Sequence, residues 1–328
     1  MKKLDPIELA LERLANLRTE SDLSLVAAEL RKLLRDRSNL VVAKAAKIAG
    51  ELRLADVVPE LVAAFDRLMT NPVKLDKRCA ATFELAAALH ALDYVEPEIY
   101  RRGIRHVQKE ASFGPPVDEA AKLRAQCALG LVRTNDPDAL ALVTDLLADA
   151  EPHARIGAIR ALGACGGDAG ALLLRYKALT GDKDPEVFAE CLTALLGADF
   201  ERSLPLIRVL VDSDDEERAG LAVLALGSQR RSEAFKVLRE KWERTAYGDL
   251  RKTLLTAMAM IRLDEATEYL VGLVGDQSAQ MAREVILALS VYHCDDKVRE
   301  RLARQIQESE NRQLQCVMQE LWPERNGG

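Results

Sequence analysis

The sequence predicts an all-α fold, a right-handed superhelix of about eight helical hairpins with a capping helix at each end. A short unit recurs along nearly the whole chain at intervals of about 32 residues, and paired helices with such a period form α-solenoids. Among the 328 residues, 48% are hydrophobic and 30% are charged, but only 4% are aromatic. β-rich folds usually contain more aromatic residues.

The clearest copy of the unit lies at residues 149–171. Asp149 can cap a helix, and Pro152 suits a first helical turn, where its missing N–H has no partner to lose. A helix rich in Ala, Ile and Leu follows, and glycines from Gly163 onwards end it. A second apolar run begins at Ala171, so the unit is predicted to be a helical hairpin with a tight turn.

This unit resembles the HEAT repeat, in the short bacterial form that is also found in phycobilisome-lyase proteins. The matching pattern, V/A-R-x-x-A-x-x-A-L-G, occurs at 154–163, with looser copies at 123–130 and 282–289. The resemblance covers roughly residues 20–322 and implies the α-solenoid fold. It implies almost nothing specific about function.

The arginine of the pattern recurs, and the resemblance implies an inner ladder of arginines paired with aspartates of neighbouring turns. We interpret the series as structural, because Phe188 and Ala219 interrupt it and break any continuous phosphate track. The ladder positions are Arg78, Arg124, Arg155, Arg251 and Arg283. The candidate acids include Asp149, Asp182 and Asp276.

The chain is predicted to form a single solenoid domain over residues 1–328. An amphipathic helix within 1–21 caps the first hairpin, and a last helix at 310–322 caps the other end, followed by a loose tail at 323–328. Between these ends the expected elements are helices at about 23–35, 40–52, 57–69, 77–92 and 96–110, and then six regular pairs over 118–309.

One irregularity interrupts the array, because Arg78 and Arg124 are 46 residues apart. The extra length is assigned to an insertion at 103–118, and insertions in solenoids often lie on a binding face. The densest basic cluster adjoins it, either as a solvated helix face balanced by nearby glutamates or as a site for an anion or an acidic partner. The cluster consists of Arg101, Arg102, Arg105, His106 and Lys109.

The resemblance also implies that the outward sides of the second helices line a concave surface. These positions carry small side chains of mixed charge, which suits recognition of a folded partner or a helix through many modest contacts. The candidate partner-binding residues are Lys44, Gln126, Arg160, Glu190, Thr193, Lys252, Thr256 and Glu284.

Several classes of function are disfavoured by the sequence. A net charge of −6 argues against nonspecific nucleic-acid binding, and no run approaches the roughly 20 apolar residues of a membrane span. Six cysteines without a CxxC pair are interpreted as small buried side chains, with metal or redox use as the alternative. No phosphate loop, HExxH or GxSxG occurs, so we predict a cytoplasmic protein that is not an enzyme and has no cofactor or metal.

The leading hypothesis is a non-enzymatic scaffold or adaptor that holds a protein partner on the concave face. The resemblance makes small GTPases, helical peptides and other folded regulatory proteins plausible partners, and the oligomeric state is left open. Two alternatives also come from the resemblance: attachment or removal of bilin chromophores on phycobiliproteins, and nucleic-acid handling as in HEAT-like DNA glycosylases. The low aromatic content weighs against both.

Overall fold

A computed structural model describes residues 6–246, 248–276, 278–293, 295–308 and 312–322, and over these residues the protein is almost entirely helical. The predicted all-α repeat fold is confirmed, while the predicted tail at 323–328 lies outside the described residues. Within the described part, no helix is long and apolar enough to cross a membrane.

The helices of the first half are α1 Pro6–Leu17, α2 Leu23–Leu33, α3 Asn39–Glu51, α4 Val58–Met69, α5 Pro72–Leu75, α6 Ala80–Ala91, α7 Pro97–Ile104, α8 Ala121–Leu131, α9 Ala139–Leu146 and α10 Pro152–Cys165. Those of the second half are α11 Gly167–Thr180, α12 Pro185–Ala198, α13 Phe200–Val211, α14 Glu216–Gly227, α15 Ser232–Arg244, α16 Asp249–Met260, α17 Asp264–Asp276, α18 Ala279–Leu289, α19 Asp296–Glu308 and α20 Arg312–Leu321. Two short strands, β1 Lys109–Glu110 and β2 Val117–Asp118, lie between α7 and α8.

The chain divides into two compact units, Met1–Lys177 and Ala178–Gly328. In the first unit the second helices α3, α6, α8 and α10 pack side by side as one layer. The first helices α2, α4, α7 and α9 pack against them, and α1 packs on α3. The core of this unit lies between the two layers, where leucines, valines and alanines are buried.

The second unit repeats the same arrangement. Its second helices α12, α14, α16, α18 and α20 contact one another in order, and α13, α15, α17 and α19 cover them. Side-chain caps start several of these helices, as the acidic turns predict: the carboxylate of Asp184 accepts the N–H groups of Glu186 and Val187 at 3.0 and 3.3 Å. The right-handed coiling of the whole array and its single-domain character stay predictions.

The insertion differs from its predicted structure. The sequence predicts a helix over 96–110, but α7 ends at Ile104 and the chain then forms an antiparallel hairpin, with Lys109 opposite Asp118 and Glu110 opposite Val117. The helix predicted over 77–92 begins only at Ala80, since Arg78 lies in the left-handed region before it. The helical prediction failed here because side chains of the hairpin accept backbone N–H groups that a helix would otherwise bond. Asp118 accepts the N–H of Gln108, and Glu110 accepts the N–H of Arg78.

Close approach of the second helices depends on small residues at their crossing points. On α10, a Cβ at Gly157 would overlap the Cα and Cβ atoms of Ala125 on α8. The neighbouring atoms include backbone, which gives way less easily than the end of a flexible side chain. The absence of a side chain at Gly157 therefore sets the distance between two neighbouring repeats.

We expect Gly157→Ala to lower the free energy of unfolding by roughly 1–3 kcal/mol, because the added methyl group overpacks the crossing. Urea denaturation followed by circular dichroism measures the change. The matched control is Gly220→Ala on α14, where a Cβ meets no atom within 4 Å. There the better helix propensity of alanine should stabilise the protein by up to about 1 kcal/mol. Equal effects of the two substitutions would contradict the packing argument.

Candidate functional site

Arg124 of α8 is a buried cation between two carboxylates. The residue is 3% exposed, and its Nε and Nη2 donate to the two carboxylate oxygens of Asp149, each at 2.9 Å. Its Nη1 lies 2.8 Å from a carboxylate oxygen of Asp118 and donates to the carbonyl of His106 at 2.8 Å. The guanidinium thus joins both ends of the insertion to α8 and to the turn before α10.

Asp118 is held in its charged form at this point. Burial opposes ionisation, but hydrogen bonds from the N–H groups of Ala120 and Gln108, and the adjacent Arg124, together lower the pKa of the carboxyl. The two N–H donors each lie 3.0 Å from the same carboxylate oxygen. The folded state therefore stabilises the ionised form of Asp118, the carboxylate that anchors the end of the hairpin.

A second buried carboxylate, Asp76, ties the hairpin to α3 and α6. It is fully buried and accepts the N–H groups of Ala81 and Thr82 at 2.9 and 2.8 Å, at the start of α6. The side-chain amide of Asn39, at the start of α3, donates to it at 3.0 Å. From the insertion, Gln108 donates to the backbone carbonyl of Asp76 at 2.9 Å. The start of α3, the start of α6 and the insertion are therefore all hydrogen-bonded to Asp76.

The backbone between Asp76 and α6 is strained. Arg78 and Cys79 both have positive φ, at 62° and 49°, which residues other than glycine rarely adopt. The N–H of Arg78 donates to the carboxylate of Glu110 on the hairpin at 2.6 Å. Such strain persists only where the surroundings hold it, and it occurs preferentially at functional sites.

The thiol of Cys79 belongs to this strained segment, and its surroundings disfavour the thiolate form. Burial, and then the nearby carboxylates of Asp76 and Glu110, raise its pKa to about 12. The thiol is therefore protonated at neutral pH, and Cys79 is buried with the core.

Two adjoining recesses lie on the layer of second helices in the first unit, and we call them together the groove. They share Ala43 and Glu84, and each has a volume of about 670 Å³. The first recess is lined by Leu11, Leu14, Ala15, Arg18, Thr19, Ala43, Lys44, Lys47, Ile48 and Glu84. The second is lined by Ala43, Arg78, Cys79, Ala80, Phe83, Glu84, Val117, Asp118, Glu119, Ala121, Lys122, Leu123, Glu151 and His153.

Glu84, at the boundary of the two recesses, is a half-buried carboxylate. Burial and the charge of Glu51 raise its pKa above the ordinary value of 4.5, although Lys47 acts in the opposite direction. The negative charge of Glu84 at neutral pH therefore opposes folding. A group that destabilises the fold at the boundary of two recesses fits a binding surface, where function is favoured over stability.

The candidate partner-binding residues of the first unit fall at different places relative to the groove. Lys44 is exposed and lines the first recess. Gln126 on α8 is half-buried and Arg160 on α10 is exposed, and neither is among the lining residues of the two recesses.

In the second unit, Lys252 and Glu284 are brought together in a smaller recess of about 280 Å³ at the starts of α16 and α18. Lys252 donates to Asp249 at 3.1 Å, and this hydrogen bond raises its pKa. Glu190 and Thr193 are half-buried on α12, and Thr256 is exposed on α16 with its hydroxyl bonded to the carbonyl of Lys252 at 3.2 Å. These three do not line that recess.

The structure separates the five residues of the basic cluster. Arg101 pairs with Asp136 and Asp138, and Arg102 lies 2.5 Å from Asp66 and over the ring of Phe65. The aspartates of neighbouring hairpins thus neutralise these arginines, rather than the nearby glutamates that the sequence suggests.

The other three members of the cluster follow α7 without sharing a helix face. Arg105 ends the helix and is exposed, Lys109 lies on β1 and is exposed, and His106 is half-buried with its ring 3.1 Å from Gln108. The five residues therefore do not converge on one anion.

The arginine series is not uniform either. Arg124 and Arg155 are each 3% exposed, and Arg155 donates to the carbonyls of Asp149 and Ala150 at 2.8 and 3.1 Å. Arg251 is half-buried, stacks 3.7 Å above the ring of Trp242 and donates to a backbone carbonyl. Arg78 and Arg283 are exposed. Asp182 is half-buried, and the side chain of Asp276 lies outside the described residues.

Sequence reasoning missed several residues of the groove, namely Arg18, Lys47, Phe83, Glu84, Lys122 and His153. Lys44 and Lys47 are three positions apart on α3, a spacing that places both on one helix face, so Lys47 was within reach of the pattern. The contribution of α1 could not be predicted, because no local sequence pattern indicates which face of α3 this helix packs against.

The comparisons with known proteins concern the repeat. Residues 117–195 match the family model of HEAT repeats. The predicted resemblance to HEAT repeats is therefore confirmed over these residues. A search of curated proteins found no match.

Solved structures with some similarity include an engineered protein, 18% identical, with 99% of this chain and 93% of that chain covered and a TM-score of 0.34. Human deoxyhypusine hydroxylase in complex with glycerol is 16% identical over 89% of this chain and 92% of that one, with a TM-score of 0.28. A second engineered protein is 16% identical over 86% and 97%, with a TM-score of 0.22. With TM-scores this low, we draw no conclusion from these alignments.

We expect Arg124→Ala to lower the free energy of unfolding by roughly 3 kcal/mol or more, because it leaves two partly buried carboxylates without their cation. Urea denaturation measures the loss. The matched control is Arg13→Ala on α1, whose side chain is 67% exposed and 3.9 Å from Glu29. That substitution should change the value by no more than about 1 kcal/mol. Similar losses in both variants would show that the buried network contributes little.

The raised pKa of Glu84 gives a pH-dependent prediction. The folded state holds this proton more tightly than the unfolded state, so the associated stability is present at pH below 4.5 and is lost as the pH rises through the raised value. We therefore expect Glu84→Gln to raise the thermal midpoint at pH 7 and to lose this advantage at acid pH. Differential scanning calorimetry at both pH values measures the difference.

Glu12→Gln on α1 is the matched control, since Glu12 is exposed. It should leave the midpoint nearly unchanged at both pH values. A lower midpoint for Glu84→Gln at pH 7 would contradict the assignment of Glu84 as a destabilising charge.

Proposed function

We propose that the protein is a non-enzymatic scaffold or adaptor that binds a protein partner on its layer of second helices, in the groove of the first unit. The observation that carries this proposal is the pair of adjoining recesses, which share Ala43 and Glu84. Together they offer an elongated surface with both apolar and charged lining, as protein recognition requires. The matched HEAT repeats at 117–195 supply the wall of the second recess from Val117 to His153, and the repeated packing of α3, α6 and α8 continues the same layer.

The arrangement of side chains favours binding over catalysis. Chemistry needs a nucleophile, an acid or base and an electrophilic group at close range. In the groove, Cys79 is protonated and buried. Glu84 on α6 and His153 on α10 both line the second recess, but the structure describes no hydrogen bond between them. Among the described residues, no group of three His, Cys, Asp or Glu is arranged to hold a metal ion. We do not propose bilin lyase activity, because no observation in the groove favours it.

Site-specific photo-crosslinking tests the proposal. The photoreactive residue p-benzoyl-phenylalanine replaces Lys122, an exposed residue of the second recess, in the full-length protein expressed in its native cells. We expect irradiation to yield one dominant crosslinked protein, identified by mass spectrometry, because a partner in the groove would contact this position.

The same residue placed at Asp145, which is exposed on α9, provides the matched control outside the groove. A dominant crosslink at both positions, or at neither, would contradict binding in the groove. An absorption spectrum of the purified protein with a bilin band would instead revive the chromophore-handling alternative.

A further inference from the structure

The two recesses differ in charge. The charged lining residues of the first recess are Arg18, Lys44, Lys47 and Glu84, so cations outnumber anions there in a chain whose net charge is −6. Those of the second recess are Arg78, Glu84, Asp118, Glu119, Lys122 and Glu151, so anions outnumber cations. The two ends of the groove therefore differ in charge, and the basic end lies beside α1.

The two lysines at the basic end are available to a ligand. Arg18 is occupied, because it donates to both carboxylate oxygens of Glu51 at 3.1 and 2.9 Å. Lys44 and Lys47 are exposed, and neither forms an ion pair within 4 Å among the residues that the structure describes, although the charge of Lys47 reaches Glu84. They lie three positions apart on α3, so both ammonium groups rise from one side of the recess.

Between the cations the floor of the first recess is apolar. Leu14 and Ile48 are 1% and 3% exposed, and Ala15 and Ala43 leave space above them. The volume of about 670 Å³ exceeds what one large apolar side chain fills, and the walls come from three helices, α1, α3 and α6. A ligand that fits this recess needs both an apolar group for the floor and negative charge for the rim.

From these observations we infer that the basic end of the groove binds an amphipathic acidic segment of a partner protein, which inserts an apolar side chain between α1 and α3 and pairs its carboxylates with Lys44 and Lys47. This inference rests on the proposed scaffold function and adds the chemistry of the partner. Burial of the apolar side chain provides affinity. The lysines speed association with an acidic segment and repel basic segments. Glu84, which the first recess shares with the second, repels a carboxylate placed beside it.

A displayed library of random 12-residue peptides, selected on the immobilised full-length protein, tests this inference. We expect the enriched peptides to combine at least two Asp or Glu residues with a large apolar residue. A synthetic copy of the most enriched peptide, labelled with fluorescein, then gives a dissociation constant by fluorescence polarisation. We expect Lys44→Glu/Lys47→Glu to weaken it by about tenfold or more, and less so in high salt.

Two further variants separate a specific site from general electrostatics. Lys236→Glu/Lys297→Glu makes the same change of charge at exposed lysines that do not line either recess, and it should weaken binding by less than about twofold. Ala15→Trp fills the first recess from an exposed position of α1, and it should weaken binding at every salt concentration. Thermal midpoints of all variants verify that they fold.

Enrichment of neutral or basic peptides, or no enrichment on the wild type above the Lys44→Glu/Lys47→Glu variant, overturns the inference. Equal weakening by the two lysine pairs, or full binding by Ala15→Trp, overturns it as well. These failures are distinct from failure of the scaffold proposal, because crosslinking at position 122 reports a partner of any charge.

Discussion

The first unit depends on buried side-chain charges that connect its hairpins across the insertion. Arg124, between Asp118 and Asp149, and Asp76, at the start of α6, together join α3, α6, α8, the β-hairpin and the turn before α10. In a solenoid each repeat normally contacts only its neighbours through apolar packing. Buried ions that are fully hydrogen-bonded add a directional constraint, because a shifted register would leave charges unpaired at a large energetic penalty.

This network also shapes the candidate site. The carboxylate of Glu110 holds the N–H of Arg78, so the hairpin fixes a backbone segment that forms one wall of the second recess. The second strand of the same hairpin supplies Val117 and Asp118 to that recess. A protein surface that is ordered before its ligand arrives loses less entropy on binding. The insertion is therefore a structural part of the groove rather than a loop beside it.

The sequence predicted the fold well and the site only in part, for a physical reason. Helical period, capping and glycine stops are local, so the hairpins follow from spacing. The resemblance to HEAT repeats, rather than spacing, placed Arg124 in a ladder and Asp149 among its candidate partners. The β-hairpin does not, because Gln108 and Glu110 are stabilised by partners about 32 residues away. The first recess could not be predicted either, because it depends on the packing of α1 against α3. Nothing in the sequence around Lys47 and Glu84 indicates that contact.

The spacing of these contacts has a consequence for the order of folding. Asn39 and Asp76 are 37 residues apart, Arg78 and Glu110 are 32 apart, and Arg124 and Asp149 are 25 apart. Helical hairpins close short loops and form quickly, whereas contacts at this separation require long loops to close first. The strained turn at Arg78 and Cys79 has one local bond, from the N–H of Cys79 to the carbonyl of Asp76 at 3.1 Å, but it also needs the carboxylate of Glu110 from the β-hairpin. It should therefore form after the helices around it. The left-handed turn would then be a late step, reached when three hairpins are already in place.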